Sequence, residues 1–124
     1  MGDAPERIDT SVMLSLMLDY IDRHSSDLGL SARTLAQRFR CSVRYVHKLF
    51  APTGRSVGEH VNDRRMSVCT RDLLDDRSRR TIAEIAFAAG FNDISNFNRS
   101  FKRINGMSPR DFRRTMTSQP TDEA

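Results

Sequence analysis

Apolar residues along the chain recur at three- and four-residue intervals and nowhere alternate with period two long enough to build a sheet, so the pattern predicts helices throughout. Val12, Met13, Leu16, Met17, Tyr20 and Ile21 form one stripe, giving a first helix over about 9–24 that Leu28-Gly29-Leu30 stops. Ser31 and Ser42 can each accept a free amide of the following turn, which opens a second helix near 32–39 and a third near 43–51. Gly54 then breaks the chain. Ser56-Val57-Gly58-Glu59 and Thr81-Ile82-Ala83-Glu84 are capping boxes, in which the cap hydroxyl and the third-position carboxylate satisfy each other's amides. They open a fourth helix from 57 to about Leu74 and a fifth that ends at Gly90, with a polar turn from Asp75 to Arg80 between them. Asp93 caps a sixth helix to about Ile104, and Ser108-Pro109 starts a short seventh that reaches about Met116. Residues 1–7 and 117–124 are polar, carry Pro5 and Pro120, and read as frayed ends, the second a disordered tail. The fold class is all-α, seven helices in one domain.

Part of this pattern occurs twice. Ala36 answers to Ala86; Ser42, Val46, Lys48 and Phe50 to Asp93, Phe97, Arg99 and Phe101; Gly54 and Ser56 to Gly106 and Ser108. The offset drifts from 50 to 51 to 52, as two single-residue insertions between helices would make it. Each copy holds two short helices joined by three or four residues, the helix-turn-helix arrangement.

A helical wheel at about 100° per residue sorts the second helix of each copy into two faces. Val43, Val46, Leu49 and Phe50 gather on one side of the third helix, with Arg44, His47, Lys48 and Ala51 opposite. In the sixth helix Ile94, Phe97, Phe101 and Ile104 face inward, and Ser95, Asn98, Arg99 and Lys102 face out. Arg and Lys donors match guanine O6 and N7, Asn matches adenine N6 and N7, and Ser adapts to either.

Charge strengthens this reading. Net charge over the whole chain is only +4, yet residues 31–116 hold 18 Arg or Lys against 8 Asp or Glu, while residues 1–30 hold 2 against 6. The positive charge therefore belongs to the duplicated region, as expected of a surface that meets a polyanion. The acidic Asp19, Asp22 and Asp27 read as a solvated face; they repel phosphate, so that end is expected to point away from it or toward another protein.

The run IAEIAFAAGFNDISNFNRSFKRINGMSPRDFR, from Ile82 to Arg113, resembles the signature of the AraC/XylS transcription regulators, and the likeness extends back through SVRYVHKLF to cover roughly 31–114. The resemblance implies two helix-turn-helix units joined by the long fourth helix: 31–55, a linker helix 56–75, 81–106, and a final helix 108–116, with residues 1–30 an acidic helix of the same domain. It implies double-stranded DNA as partner, two reading helices inserted into consecutive major-groove segments, and base contacts at Arg44, His47, Lys48, Ser95, Asn98 and Arg99. It further implies a cytoplasmic, nucleoid-associated regulator of the activator kind, with RNA polymerase as a second candidate partner and no cofactor. The thirty residues before Ser31 are too few for the family's sensor or dimerisation domain, so the chain is expected to be either a stand-alone regulator or a domain cut from a longer protein, and this domain by itself to be monomeric. Three positions depart from the family pattern. His60 stands where Tyr is frequent, Cys69 where Ala is frequent, and the stretch from Arg65 to Gly90 is about two residues longer than usual. His60 and Cys69 are expected to pack the fourth helix.

Other chemistry finds little support. Cys41, Cys69, His24, His47 and His60 show no zinc-ligand spacing, and the two cysteines are expected as free thiols. No Gly-rich phosphate loop or nucleophile elbow is present, so no catalytic residue is assigned. No apolar run approaches the 18 residues of a membrane span, so the chain is expected to avoid the membrane. The alternatives from another class are a protein-interaction module and the regulatory part of a DNA-repair alkyltransferase, where similar domains occur and a reactive cysteine is required.

Overall fold

The structure is a computed structural model that describes residues 9–75 and 77–122. Its described residues form seven α-helices and no strand: α1 Thr10–His24, α2 Ala32–Arg38, α3 Val43–Phe50, α4 Val57–Leu74, α5 Ile82–Ala89, α6 Ile94–Asn105 and α7 Pro109–Asp122, with a 3-10 turn at Ala51–Thr53. The expected frayed residues 1–7 lie outside the described residues, as do 123 and 124.

Short polar side chains set the helix starts. The Ser42 hydroxyl accepts from the Tyr45 amide at 3.0 Å, the Asp93 carboxylate from the Asn96 amide at 3.1 Å and the Ser108 hydroxyl from the Asp111 amide at 3.1 Å. Ser56 with Glu59 and Thr81 with Glu84 close reciprocal boxes, both amides satisfied within 3.1 Å. Ser31 closes a third with Thr34, whose hydroxyl takes the place of the usual Glu or Gln side chain. The ends are set differently. Gly54, Gly90 and Gly106 all have positive φ, but Met116 has no such residue after it. Nothing stops α7 there, and the helix continues through residues expected as a disordered tail to Asp122.

The chain divides near Arg64 into two compact units, each with its own apolar core. In the first, Met17 and Ile21 of α1 pack with Leu35, Val46, Leu49 and Phe50, so the acidic N-terminal helix is built into the unit. In the second, Phe97 and Phe101 of α6 pack with Ile85, Ala86, Ala89 and Phe91. The long helix α4 supplies Val57 and Val61 to one core and Met66, Cys69 and Leu73 to the other.

Two residues of the α1 stripe and two assigned to the inward faces of α3 and α6 are exposed. Val12 and Leu16 of α1 are exposed, because the side of α1 that meets the core is centred on Met17 and Ile21 and flanked by Leu14 and Leu18, which pack there instead. Val43 and Ile104 are 39% and 49% exposed. A wheel assigns direction and not depth: Val43 occupies the edge of the arc in the first turn of α3, and Ile104 lies in the last turn of α6, a turn beyond the buried Ser100 and Phe101.

Candidate nucleic-acid interface

The same turn joins α2 to α3 and α5 to α6. In the first unit the Cys41 amide donates to the Ala36 carbonyl at 2.9 Å and the Arg40 amide to Gln37 at 3.3 Å. In the second the Phe91 amide donates to Ala86 at 3.0 Å and the Gly90 amide to Phe87 at 3.1 Å. Both are Schellman turns, which need a left-handed residue before the last donor. Gly90 meets that need at φ 113°, whereas the first unit puts Arg40 there at φ 57°. A non-glycine left-handed residue costs roughly 1–2 kcal/mol, part of which glycine returns through its freer unfolded chain. Arg40→Gly is therefore expected to raise stability by about 0.5–1 kcal/mol, and Gly90→Ala to lower it by about 1–3 kcal/mol. Denaturant titration of both variants checks this; the same sign for both would contradict it.

Those turns fix α3 and α6 against their cores by Val46, Leu49 and Phe50, and by Phe97, Ser100 and Phe101, all buried. What is left outward is the candidate site. Arg44, His47 and Lys48 on α3, and Ser95, Asn98 and Arg99 on α6, are all exposed. None of the six makes a hydrogen bond or ion pair among the described residues, so their donors and acceptors are uncommitted. Beside each of these two helices runs a shallow groove. In the first unit it measures about 340 Å³ and is lined by His47, Phe50, Ala51, Gly54, Arg55 and Ser56. In the second it measures about 590 Å³, with Asn98, Arg99, Lys102 and Arg110 over an apolar floor of Ile82, Ala83, Ile94 and Pro109.

The helix-turn-helix domain family matches residues 35–115, a span that takes in both α3 and α6. The chain belongs to the AraC/XylS family. The matched segment is the family's helix-turn-helix DNA-binding domain. Among its relatives, the transcriptional activator RhrA of Rhizobium meliloti is 31% identical over 94 residues, covering 76% of this chain and 30% of RhrA. The transcriptional activator RhaS of Escherichia coli is 32% identical over 101 residues, covering 81% of this chain and 35% of RhaS. The chain thus spans about a third of the length of these two relatives. Among solved structures, the C-terminal domain of AraT, a response regulator from Geobacillus stearothermophilus, superposes with a TM-score of 0.74 at 27% identity, covering 82% of this chain and 84% of that one.

In this AraC/XylS domain the two signs of charge are used differently. From residue 31 to 116 every described carboxylate is committed: Glu59, Glu84 and Asp93 to caps, Asp63 to Arg55 at 2.6 Å, Asp72 to Arg80, Asp75 to Arg77 and Asp111 to Arg114. The Ser56 amide, and then the Arg55 guanidinium, hold the Glu59 carboxyl below its ordinary range, and the Arg77 amide does the same for Asp75. On α3 and α6, Arg44, Lys48, Arg99, Lys102 and Arg103 are free of carboxylate partners among the described residues.

The departures from the family pattern also find their places. His60 is half-buried against Phe50, ring centroids 5.3 Å apart, with its Nε2 3.2 Å from the Thr53 hydroxyl. Cys69 is fully buried, and burial pushes its thiol pKa up to about 12. Burial raises the Cys41 thiol as well. An alkyl-transfer thiol must be lowered by an electropositive site, and these two move the other way. No group of three or more His, Cys, Asp or Glu is arranged to hold a metal among the described residues, and none of their helices is long and apolar enough to cross a membrane. One residue with a bearing on the site escaped the sequence. Arg113 on α7 donates to the carbonyls of Arg80 at 2.8 Å and Ser78 at 3.2 Å, pinning the turn before α5. Its partners lie 33 and 35 residues away, outside any local pattern.

Proposed function

We propose that the chain is a sequence-specific, double-stranded DNA-binding transcriptional regulator of the activator kind, in which α3 and α6 enter consecutive major-groove segments. The observation that carries this is the pair of equivalent helices, each fixed by an apolar face and each presenting three uncommitted polar side chains. The reading helix of a helix-turn-helix unit contacts base edges with such side chains. On one face of B-DNA two of them must meet the duplex about one turn, roughly 34 Å, apart. The two sets differ, Arg44, His47 and Lys48 against Ser95, Asn98 and Arg99, so the site is non-palindromic. That RhrA and RhaS are transcriptional activators supports the activator assignment, and with it RNA polymerase as a second partner and a place on the bacterial nucleoid.

Lys48→Ala and Arg99→Ala are each expected to cost about 1–3 kcal/mol in binding to a selected site and to leave the melting temperature unchanged, since each removes an exposed donor with no partner in the protein. Fluorescence anisotropy on a labelled duplex, with thermal melts of the free protein, reads both quantities. Binding equal to the parent chain in both variants would remove the reading.

A further inference from the structure

Val43 and Ile94 hold the same position in the two units, the first residue of a reading helix directly after its cap. They are treated differently. Ile94 is half-buried and packs against the core of its unit, whereas Val43 is exposed and is not among the side chains packed against its own core. At about 100° per residue Val43 lies about 20° from the buried Phe50 on one side and about 40° from His47, one turn later on the same row, on the other. Its two methyl groups therefore stand on the border between the buried and outward sides of α3, one turn before His47.

Single exposed apolar residues are ordinary on protein surfaces. This one occupies the end of the helix that meets base edges in a helix-turn-helix unit. The helix does not need it. Ser42 completes the cap through its own hydroxyl, and a β-branched side chain loses rotamer freedom in a helix. In the major groove the apolar feature of the base-pair edges is the C5 methyl of thymine.

We propose that Val43 is a specificity-determining residue, packing on the C5 methyl of a thymine within the base pairs that Arg44 and His47 read. This rests on α3 being a reading helix. Replacing thymine by deoxyuridine removes that methyl and leaves every hydrogen-bonding group in place, so the DNA can be changed without touching the protein. Each thymine of the first half-site in an in vitro selected duplex is replaced in turn, and affinity is measured for the parent chain, Val43→Ser and Lys48→Ala. One replacement is expected to weaken binding by the parent about fourfold, the worth of one buried methyl. The same replacement is expected to change binding by Val43→Ser less than about 1.5-fold, because the partner methyls are gone. A half-site without a sensitive thymine, or one equally sensitive in Val43→Ser, overturns the proposal while α3 remains a reader, as shown by weakened binding of Lys48→Ala. Undiminished binding of Lys48→Ala overturns the reading of α3 itself, and the proposal with it.

Discussion

Raising monovalent salt from about 50 to about 200 mM is expected to weaken DNA binding by roughly 10²–10⁴-fold. Residues 31–116 carry 18 basic against 8 acidic side chains, and the described carboxylates among them are already spent on caps and ion pairs. The cations of α3 and α6 have no carboxylate partner among the described residues. With about 5–8 phosphates neutralised, each releasing condensed counterion, the slope of log K against log salt falls at about −4 to −7. A titration of affinity against salt at fixed pH gives that slope directly; a value near zero would show that the free cations do not meet a polyanion.

Phe101→Ala is expected to destabilise the second unit by about 3–5 kcal/mol and to lower its melting temperature by more than about 10 °C. Phe101 is fully buried, with the Phe97 ring 5.8 Å and the Phe112 ring 5.3 Å from its own. Removing it leaves a cavity where α6 meets its core, and α6 is the helix that presents Ser95, Asn98 and Arg99. Scanning calorimetry of Phe101→Ala beside Arg99→Ala separates core from reading face. If the two melt together, the division of α6 into faces is wrong.

The sequence was most legible where structure is set by neighbours. Ser42, Ser56, Thr81, Asp93 and Ser108 open helices because their partners lie three residues away, and Gly90 ends one because only a left-handed residue fits there. The six candidate side chains fall outward because strong apolar stripes fix which way α3 and α6 face. Where depth or distance decides, the pattern is silent. Val43 and Ile104 have the right direction for a core that does not reach them. Arg40 takes a glycine's conformation because the Schellman bonds at Cys41 and Arg40 outweigh its steric cost, which composition does not reveal. Arg113 acts on backbone carbonyls that no periodicity connects to it.

Selection of bound duplexes from a random pool, repeated with the parent chain, Lys48→Ala and Arg99→Ala, tests most directly whether two helices read DNA as a pair. The parent is expected to enrich a non-palindromic site in two parts about 10 base pairs apart. Lys48→Ala should relax one part and Arg99→Ala the other, each leaving its neighbour intact. Failure to enrich any sequence, or loss of the same base pairs in both variants, would contradict the account.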